Sequence, residues 1–291
     1  MDRLEAIVEQ MESGKLPLED LIARYEEGMN LVKICQERLA NAEQKIEIIA
    51  RNSAGKTVVK DFEPTQEPPA PASVVLCYQR SLYDHVLRTE GIESPRRALP
   101  VALPSTGGRV GLLGRFGIGA PAASTTLEEL AALGTSAVVS VGTAGSLQRD
   151  LKPGDLVLCE AAIRDEGVSH HYLPPGRLAT APAEMTAALG TALRQAGLEF
   201  RTGTSWTIDT PYRETIDEVR HYQAEGVLCV EMEAAALFAV AGLRGLRLAS
   251  AFVISDSLAE LTWTSHFGSA EVTSGLIQLY QAAVAALTAG G

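Results

Sequence analysis

The stretch Val227-Leu-Cys-Val-Glu231-Met232-Glu233-Ala-Ala-Ala-Leu-Phe-Ala-Val-Ala241 decides the fold of most of this chain. A short apolar run passes directly into a longer alanine-rich run, which predicts a buried strand followed by a helix. Two carboxylates flank a methionine at this junction, where an α/β fold usually presents its ligand site. Because a buried charge is costly unless something pairs with it, the carboxylates need a polar partner. A sugar diol would be one, since a carboxylate can accept both hydroxyl protons while the thioether packs on the ring.

A second strand with a polar end follows in Ala251-Phe-Val-Ile-Ser255-Asp256. Open α/β sheets bind their ligands in the crevice outside the carboxyl ends of the strands. We therefore expect the polar ends of these two strands to face one another across a ligand.

The composition of the whole chain excludes several classes of protein. A net charge of −11 argues against a dedicated nucleic-acid surface, which is normally basic. The four cysteines are scattered and include no Cys-x-x-Cys pair, so that neither a zinc site nor a disulfide framework is expected. The amino terminus has no apolar signal core, and no uncharged run approaches membrane-spanning length. We therefore expect a reduced, cytoplasmic protein without a metal site or a membrane span.

Residues 1–52 predict an all-α, coiled-coil-like helical hairpin. A short helix ends at Ser13-Gly14, and a second helix starts at Pro17. Six basic and eleven acidic residues give residues 1–50 a net charge of −5, which disfavours direct contact with DNA phosphates. A heptad seam of apolar or small residues, spaced alternately by four and three, instead predicts binding to a protein. The seam consists of Leu21, Tyr25, Gly28, Val32, Cys35, Leu39, Ala42, Ile46 and Ile49.

The hairpin also carries the motifs of a known family. The motifs Tyr25-Glu-x-Gly28-Met and Cys35-x-Glu-Arg38-Leu, together with the loop at 13–17, closely resemble the exodeoxyribonuclease VII small subunit. The resemblance implies a module without catalytic residues that binds the helical part of the exodeoxyribonuclease VII large subunit. A generic dimerising hairpin is the alternative.

Residues 53–73 predict a linker, because four prolines lie among small polar residues that neither form a core nor continue a helix. From Val74 onward, short apolar runs alternate with helical patterns. This alternation predicts one α/β domain over residues 74–291, with a largely parallel or mixed sheet. Within that domain, residues 137–141 predict a strand that opens into a loop at 142–145.

Two glycine-rich segments follow predicted strands. Gly117-x-Gly119-x-x-Ala122 has the spacing of a dinucleotide site, but no acidic residue ends the next strand near position 140, so that a Rossmann cofactor site is not predicted. The remaining interpretation of this segment is a tight turn that brings backbone amides near an anion. Gly142-Thr143-Ala-Gly145 offers a hydroxyl beside backbone donors and suits a phosphate oxygen. A simple strand-to-loop turn is the alternative for this tetrapeptide.

Two polar segments are further candidates for a ligand site. Residues 164–172 are dense in functional groups but lack a third metal ligand at helical spacing, which disfavours metal and leaves a pocket-lining loop or a solvated loop. In residues 206–215, Tyr212 can stack on a nucleobase and Arg213 can donate to its carbonyl edge. The alternative is a helix start with an exposed Arg–Glu pair.

Five motifs of the α/β domain occur in the order of a known enzyme family. They are Gly-Ile-Gly-Ala-Pro at 117–121, Val-Gly-Thr-Ala-Gly at 141–145, Lys-Pro-Gly-Asp at 152–155, Val-Glu-Met-Glu-Ala-Ala at 230–235 and Ile-Ser-Asp at 254–256. Together they resemble the nucleoside phosphorylases of the uridine and hexameric purine type. The resemblance implies a three-layer α/β fold with a central mixed sheet, and a homo-oligomer. It also implies conversion of a nucleoside and inorganic phosphate to free base and ribose 1-phosphate, with no cofactor.

The resemblance implies roles at the sugar and at the reacting bond. Glu233 would bind the 2′- and 3′-hydroxyls of ribose, Met232 would pack on the sugar, and Glu231 would support them. Asp256, with Ser255 beside it, would match the acid that purine-type members use to protonate the leaving base. An aspartate must be partly desolvated to hold that proton near neutral pH.

The phosphate end departs from the family pattern. Thr143 and Gly142 would contact phosphate. However, the family's first phosphate loop, Gly-Asp-Pro followed by Arg, is absent, and the arginine that usually precedes Gly-Thr is Ser140. Arg80 and Arg115 are the candidates to supply the missing positive charge.

The identity of the base is left open by the sequence. Tyr212 and Arg213, with Asp209 in the same segment, lie where uridine-type members hold the pyrimidine, whereas Asp256 points to a purine. Two alternatives to phosphorolysis also stay open. One is a nucleosidase that uses water, because the phosphate site is altered, and the other is a non-catalytic accessory subunit of exodeoxyribonuclease VII.

Overall fold

The computed structural model describes residue 27, residues 47–51 and 57–61, and residues 70–289 apart from 94 and 96–98. The chain divides into two units, Met1–Pro68 and Pro69–Gly291. In the first unit, strand β1 (Glu47–Arg51) pairs with strand β2 (Thr57–Asp61) in an antiparallel ladder. The rest of the predicted hairpin, apart from the helical residue Glu27, lies outside the described residues.

Two expectations for this region are corrected by β1 and β2. Ile49, predicted as the last seam position of a helix, lies in β1, and residues 57–61 of the predicted linker form β2. Ile48, Ile49, Val58 and Val59 are β-branched, and such residues favour extended backbone over helix. The boundary between the two units falls at Pro68, inside the predicted linker of residues 53–73.

The second unit alternates strands with helices. Its strands are β3 (Ser73–Cys77), β4 (Val101–Ala102), β5 (Val110–Leu113), β6 (Ala137–Ser146), β7 (Leu156–Asp165), β8 (Leu178–Thr180), β9 (Phe200–Ile208), β10 (Cys229–Glu231), β11 (Arg247–Ser257) and β12 (Thr264–Ser265). Its helices are α1 (Arg80–Glu90), α2 (Ala120–Ala132), α3 (Ala183–Gln195), α4 (Ile216–Ala224), α5 (Ala234–Arg244) and α6 (Ala270–Ala289). Short 3₁₀ turns lie at Pro104–Thr106, Ser169–His171 and Pro211–Arg213.

The strands form a mixed sheet that closes on itself at one end. The order along the sheet is β12-β11-β7-β9-β10-β6-β3-β5-β4, and β11 also pairs with β6, which makes a closed circuit of β6, β11, β7, β9 and β10. Strand β6 pairs in parallel with β3 up to Val141, and with β10 in antiparallel at Gly145 and Ser146. Residues 142–144 therefore lie in the gap between these two partners on one edge of β6.

Helices cover both faces of this sheet, as the predicted three-layer α/β fold requires. One layer, built from α1, α3 and α6, packs on Val139, Val141 and Val253. The other layer, built from α2 and α5, packs on Val138 and Phe252. Alternate residues of one strand thus face opposite helix layers. Helix α6 is long and apolar enough to cross a membrane, but it packs in the first of these layers, which is the arrangement of a core helix.

One predicted element boundary is wrong at the point that matters for the site. Strand β6 does not open into a loop after Val141 but continues to Ser146. Small residues permit this close packing, since a Cβ on Gly142 would lie 3.3 Å from the Tyr78 ring, and one on Gly145 only 2.9 Å from an Asp256 oxygen. The simple strand-to-loop turn is therefore excluded for residues 142–145.

Candidate active site

A cavity of about 360 Å³ opens where β6, β10 and β11 approach their carboxyl ends. The register of β11 against β6 shifts between Ile254 and Asp256, which marks a bulge at Ser255. Bulges next to functional sites re-aim side chains, and this one brings Asp256 to the cavity. The lining residues are Tyr78, Gln79, Ile118, Gly142, Thr143, Ala144, Gly145, Pro211, Glu214, Val230, Glu231, Met232, Glu233, Ser255, Asp256 and Phe267.

Glu231 acts as the buried anchor of the strand–helix junction. Its carboxylate accepts hydrogen bonds from the backbone N–H groups of Glu233 and Ala234, both at 2.7 Å, at the N-terminus of α5. The hydroxyl groups of Ser205 and Thr207 donate to its other oxygen. Burial raises the pKa of Glu231, and these donors oppose that rise. With all four donors engaged, Glu231 fixes the backbone that carries Glu233.

Glu233 presents its carboxylate to the cavity from the first residue before α5. The backbone N–H of Gly119 donates to its Oε1 atom at 2.6 Å. Burial raises the pKa of Glu233 to about 7, and the nearby charge of Glu231 is the second cause. Gly119 has φ 88°, in the left-handed region that favours glycine. The predicted turn that brings an amide near an anion is thus present, and the anion is the Glu233 side chain.

Asp256 is held by donors on both of its oxygens. The Ser255 hydroxyl donates to Oδ1 at 2.7 Å, and the indole N–H of Trp263 donates to Oδ2 at 2.9 Å. Asp256 is 8% exposed, and Ser255 is fully buried. Both predicted catalytic side chains therefore lie at the cavity, and Trp263 is a partner that the motifs did not reveal.

Thr143 faces a side chain that stands where the family has its phosphate loop. The amide nitrogen of Gln79 donates to the Thr143 hydroxyl at 3.0 Å. The amide oxygen of Gln79 is buried and has no hydrogen-bond partner among the described residues. Beside it, the Tyr78 hydroxyl bonds to the Ser140 hydroxyl at 3.2 Å, and burial raises the pKa of Tyr78 well above its ordinary value. This end of the cavity is therefore polar and uncharged.

The two arginines proposed for phosphate do not reach the cavity. Arg80 begins α1 with its side chain 80% exposed and lies 3.4 Å from Asp84. Arg115 donates to the same carboxylate at 2.7 Å and stacks on the ring of Tyr83 at 5.3 Å. Asp84, one helical turn after Arg80, draws both guanidinium groups to the outer surface, and its pKa is lowered mainly by the hydrogen bond from Arg115. The cavity residues named above include no Lys, Arg or His.

The segment proposed for the base reaches the cavity through other residues than expected. Tyr212 and Arg213 are exposed, and Asp209 accepts a hydrogen bond from the backbone of Gly167 at 2.8 Å. The 3₁₀ turn over Pro211–Arg213 points these side chains away. Glu214, the next residue, lines the cavity instead. Its pKa is raised to about 7 by burial first, then by the charges of Asp256 and Glu218.

The polar loop at 164–172 proves to be a structural unit outside this cavity. The Arg164 guanidinium donates to the Ser169 hydroxyl and to the Pro174 carbonyl, both at 2.8 Å. Glu166 accepts from the Ser169 backbone N–H at 2.9 Å, and both charged side chains are buried. The segment does not line this cavity, and it is only partly solvated, because Arg164 and Glu166 are buried and organise the loop while its two histidines are exposed.

Two family models match the chain. The model of the phosphorylase superfamily matches residues 84–288, which is most of the chain. The chain belongs to the phosphorylase superfamily. A separate model, of the exonuclease VII small subunit, matches residues 1–48 and confirms the resemblance of the N-terminal motifs.

Individual members of the superfamily are similar to parts of the chain. Uridine phosphorylase of Haemophilus influenzae is 34% identical over 145 residues, which are 45% of this chain and 58% of that protein. Guanosine phosphorylase of Halorubrum lacusprofundi is 32% identical over 142 residues, which are 49% of this chain and 59% of that protein. The chain thus spans less than two thirds of these curated relatives.

A solved structure of the superfamily has the same fold. The crystal structure of purine nucleoside phosphorylase from Toxoplasma gondii in complex with immucillin-H aligns with a TM-score of 0.66 at 23% identity. The alignment covers 77% of this chain and 94% of that one. It confirms the predicted nucleoside-phosphorylase-like α/β fold with a mixed sheet.

Proposed function

We propose that the second unit cleaves the N-glycosidic bond of a nucleoside with inorganic phosphate, giving free base and ribose 1-phosphate. The observation that carries the proposal is the meeting of Glu233, Met232 and Asp256 in one cavity of the superfamily fold. A volume of about 360 Å³ suits a ligand of nucleoside size. The names of the relatives, uridine phosphorylase and guanosine phosphorylase, support the same reaction class.

Ribose recognition follows from the position of Glu233. One of its oxygens accepts from Gly119, and its remaining lone pairs can accept from the two ribose hydroxyls. Met232, which also lines the cavity, offers an apolar, adaptable surface to the sugar ring. Binding of the diol requires the ionised carboxylate, because a protonated carboxyl has lost acceptor capacity.

The negative charge of the residues that line the cavity suits the cleavage of a glycosidic bond. As the glycosidic bond stretches, positive charge develops on the ribose, and carboxylates placed beforehand stabilise it in a site that excludes water. Glu231, Glu233 and Asp256 supply such charge at the cavity. Bound phosphate would then attack the anomeric carbon, and holding it near the sugar removes much of the entropic cost of the encounter.

The end of the cavity beside Thr143 offers neutral groups to phosphate. Residues 142–144 have their backbone in the gap between β3 and β10, and the Thr143 hydroxyl lies beside them. These are donors that can bind phosphate oxygens.

A nucleosidase that uses water is the second candidate, because no cationic residue lines the described cavity. The unpartnered amide oxygen of Gln79 also favours water. Water brings two O–H donors to that acceptor, whereas the dianion of phosphate brings one.

The test is base release by the full-length chain with and without phosphate, across a panel of uridine, inosine, guanosine and adenosine. We expect release to rise at least about tenfold with phosphate and the sugar product to be ribose 1-phosphate, read by chromatography. Release of free ribose at the same rate in phosphate-free buffer would overturn phosphorolysis in favour of hydrolysis. Arg80→Ala and Arg115→Ala serve as controls, and their phosphate dependence should match the unchanged chain because both side chains lie on the outer surface.

For the N-terminal residues we propose binding to an exodeoxyribonuclease VII large subunit. The match of residues 1–48 to the small-subunit family supports this partner. Leu39→Asp places a charge in the heptad seam and should reduce co-purification with the large subunit at least about tenfold, since a seam position must be apolar to pack. Glu37→Asp, at a non-seam position, is the matched control. Equal recovery of the large subunit with Leu39→Asp would contradict the proposal.

A further inference from the structure

Glu214 is placed at the cavity by ordered backbone on both sides. Before it, the 3₁₀ turn Pro211–Arg213 is closed by a hydrogen bond from Arg213 N–H to the Thr210 carbonyl at 2.8 Å. After it, Thr215 caps α4, and its backbone N–H donates to Glu218 at 3.0 Å in a reciprocal capping box. The carboxylate is therefore presented from a fixed point, and its half-buried position at the cavity follows from the local sequence.

The other carboxylates of the lining already have partners. Glu231 accepts four hydrogen bonds at the junction of β10 and α5, and Glu233 accepts from Gly119. Asp256 accepts on both oxygens, from Ser255 and from Trp263. No donor within the described part of the chain hydrogen-bonds to the Glu214 carboxylate. Glu214 is thus the lining carboxyl with no protein donor on either oxygen among the described residues, so that both oxygens are open to a ligand.

We propose that Glu214 is a catalytic acid of this site, which delivers a proton to the base as it leaves. The inference rests on the proposed cleavage of a glycosidic bond and holds for either acceptor, phosphate or water. It differs from the role implied by the resemblance, in which Asp256 is the acid. Asp256 instead stands beside Glu214 as a fixed acceptor and as a neighbouring negative charge.

The electrostatic surroundings of Glu214 suit such an acid. Burial, Asp256 from β11 and Glu218 from α4 all act in the same direction and raise its pKa to about 7. Glu218 is itself hydrogen-bonded by Thr215, with Arg213 nearby, and its own pKa is lowered. A general acid is most effective when its pKa lies near the working pH, because it then holds a proton and gives it up readily.

The proton and electron balance of the step is complete. The electron pair of the bond between the anomeric carbon and the base nitrogen moves to the base, and a ring nitrogen of the base takes the proton from the Glu214 carboxyl group. The acceptor oxygen forms the new bond to the anomeric carbon. The proton that the acceptor carried, on the attacking oxygen of water or on another oxygen of hydrogen phosphate, passes through solvent to the Glu214 carboxylate, which restores the acid.

Glu214→Gln tests the inference in the full-length chain, with the panel nucleoside that is cleaved fastest. We expect kcat to fall about 10²-fold near pH 7, since general acids contribute at least this much, while KM stays within about threefold. The unchanged chain should lose activity above about pH 7 as Glu214 ionises, and the variant should lack this alkaline limb. Asp217→Asn, a fully exposed neighbour, is the matched control and should behave as the unchanged chain.

A substrate whose leaving group needs no proton separates catalysis from structure. With 4-nitrophenyl β-ribofuranoside, Glu214→Gln should keep within about threefold of the unchanged activity, because nitrophenolate leaves as the anion. Equal losses on both substrates, or an alkaline limb that persists in the variant, would overturn the role of Glu214 while leaving the proposed function intact. If the unchanged chain releases base from no panel nucleoside, the proposed function itself fails, and this inference fails with it.

Discussion

Glu233→Gln is expected to lower kcat/KM for base release about 10³-fold and to stabilise the folded protein above pH 7. The loss of activity follows from the ribose. Each hydrogen bond to a charged group contributes about 1.5–3 kcal/mol, and the carboxylate is proposed to accept two from the diol. Since about 1.4 kcal/mol is a factor of ten, removing both as charge-assisted bonds costs roughly two to four powers of ten.

The gain in stability follows from the sign of the pKa change. Burial and Glu231 raise the pKa of Glu233 to about 7 from its ordinary 4.5. Between these two values, a rising pH ionises the unfolded chain but not the folded one, so that the stability of the fold decreases. Above pH 7 the full penalty applies, on the order of 3 kcal/mol, and a neutral glutamine does not carry it. Glutamine also keeps an oxygen for the Gly119 N–H.

Two measurements check this pair of outcomes. Steady-state base release gives kcat/KM, and urea unfolding at pH 5 and pH 8 gives the free energy of unfolding. Glu129→Gln, on the exposed side of α2, is the matched control and should change neither quantity. Full activity of Glu233→Gln would remove the proposed ribose-binding role of Glu233. A variant no more stable than the unchanged chain at pH 8 would contradict the buried-charge argument.

The sequence was most informative where chemistry and fold coincide. A strand running into a helix at Glu231–Glu233, and a second strand ending at Asp256, could be read from apolar periodicity alone, and the sheet brings both to one cavity. Strand β11 runs parallel to β6 and β10 runs antiparallel to it, and both registers place their residues, Asp256 and Val230, opposite Gly145 of β6. Glu231 is fully engaged by backbone and hydroxyl donors, and the ribose-binding role of Glu233 stays a prediction.

Side chains near turns and helix starts could not be placed from the sequence. Whether Arg213 or Glu214 enters the cavity depends on the rotation of one 3₁₀ turn, which periodicity does not resolve. Arg80 could be matched to the phosphate end only by its position after β3, and Asp84, one helical turn later on α1, decides the actual direction of its side chain. Trp263 lies in a segment without a motif, so that its bond to Asp256 had no signal.

Asp256→Ala should lower kcat/KM about 10³-fold at pH 7.5 and move the alkaline limb of the pH profile to lower pH. Two losses combine in this variant. The leaving base loses a charged acceptor, which is worth about 1.5–3 kcal/mol. Glu214 also loses the neighbouring charge that helps to raise its pKa, so that less of it is protonated at pH 7.5. At pH values below the shifted limb, Glu214 is protonated in both proteins. The decrease in kcat/KM should then reflect only the lost acceptor for the leaving base.

The chain offers a close match for the control. Asp165 accepts a hydrogen bond from the indole of Trp206 at 2.9 Å, as Asp256 does from Trp263, but Asp165 does not line the cavity. Asp165→Ala should therefore keep kcat/KM and the alkaline limb within about threefold and half a pH unit, while losing a similar indole bond. An unmoved limb in Asp256→Ala would show that Asp256 does not set the protonation of Glu214, and comparable losses in both variants would assign the effect to folding. A shifted limb in Asp256→Ala together with no limb in Glu214→Gln would connect the two carboxyl groups as one proton-donating pair.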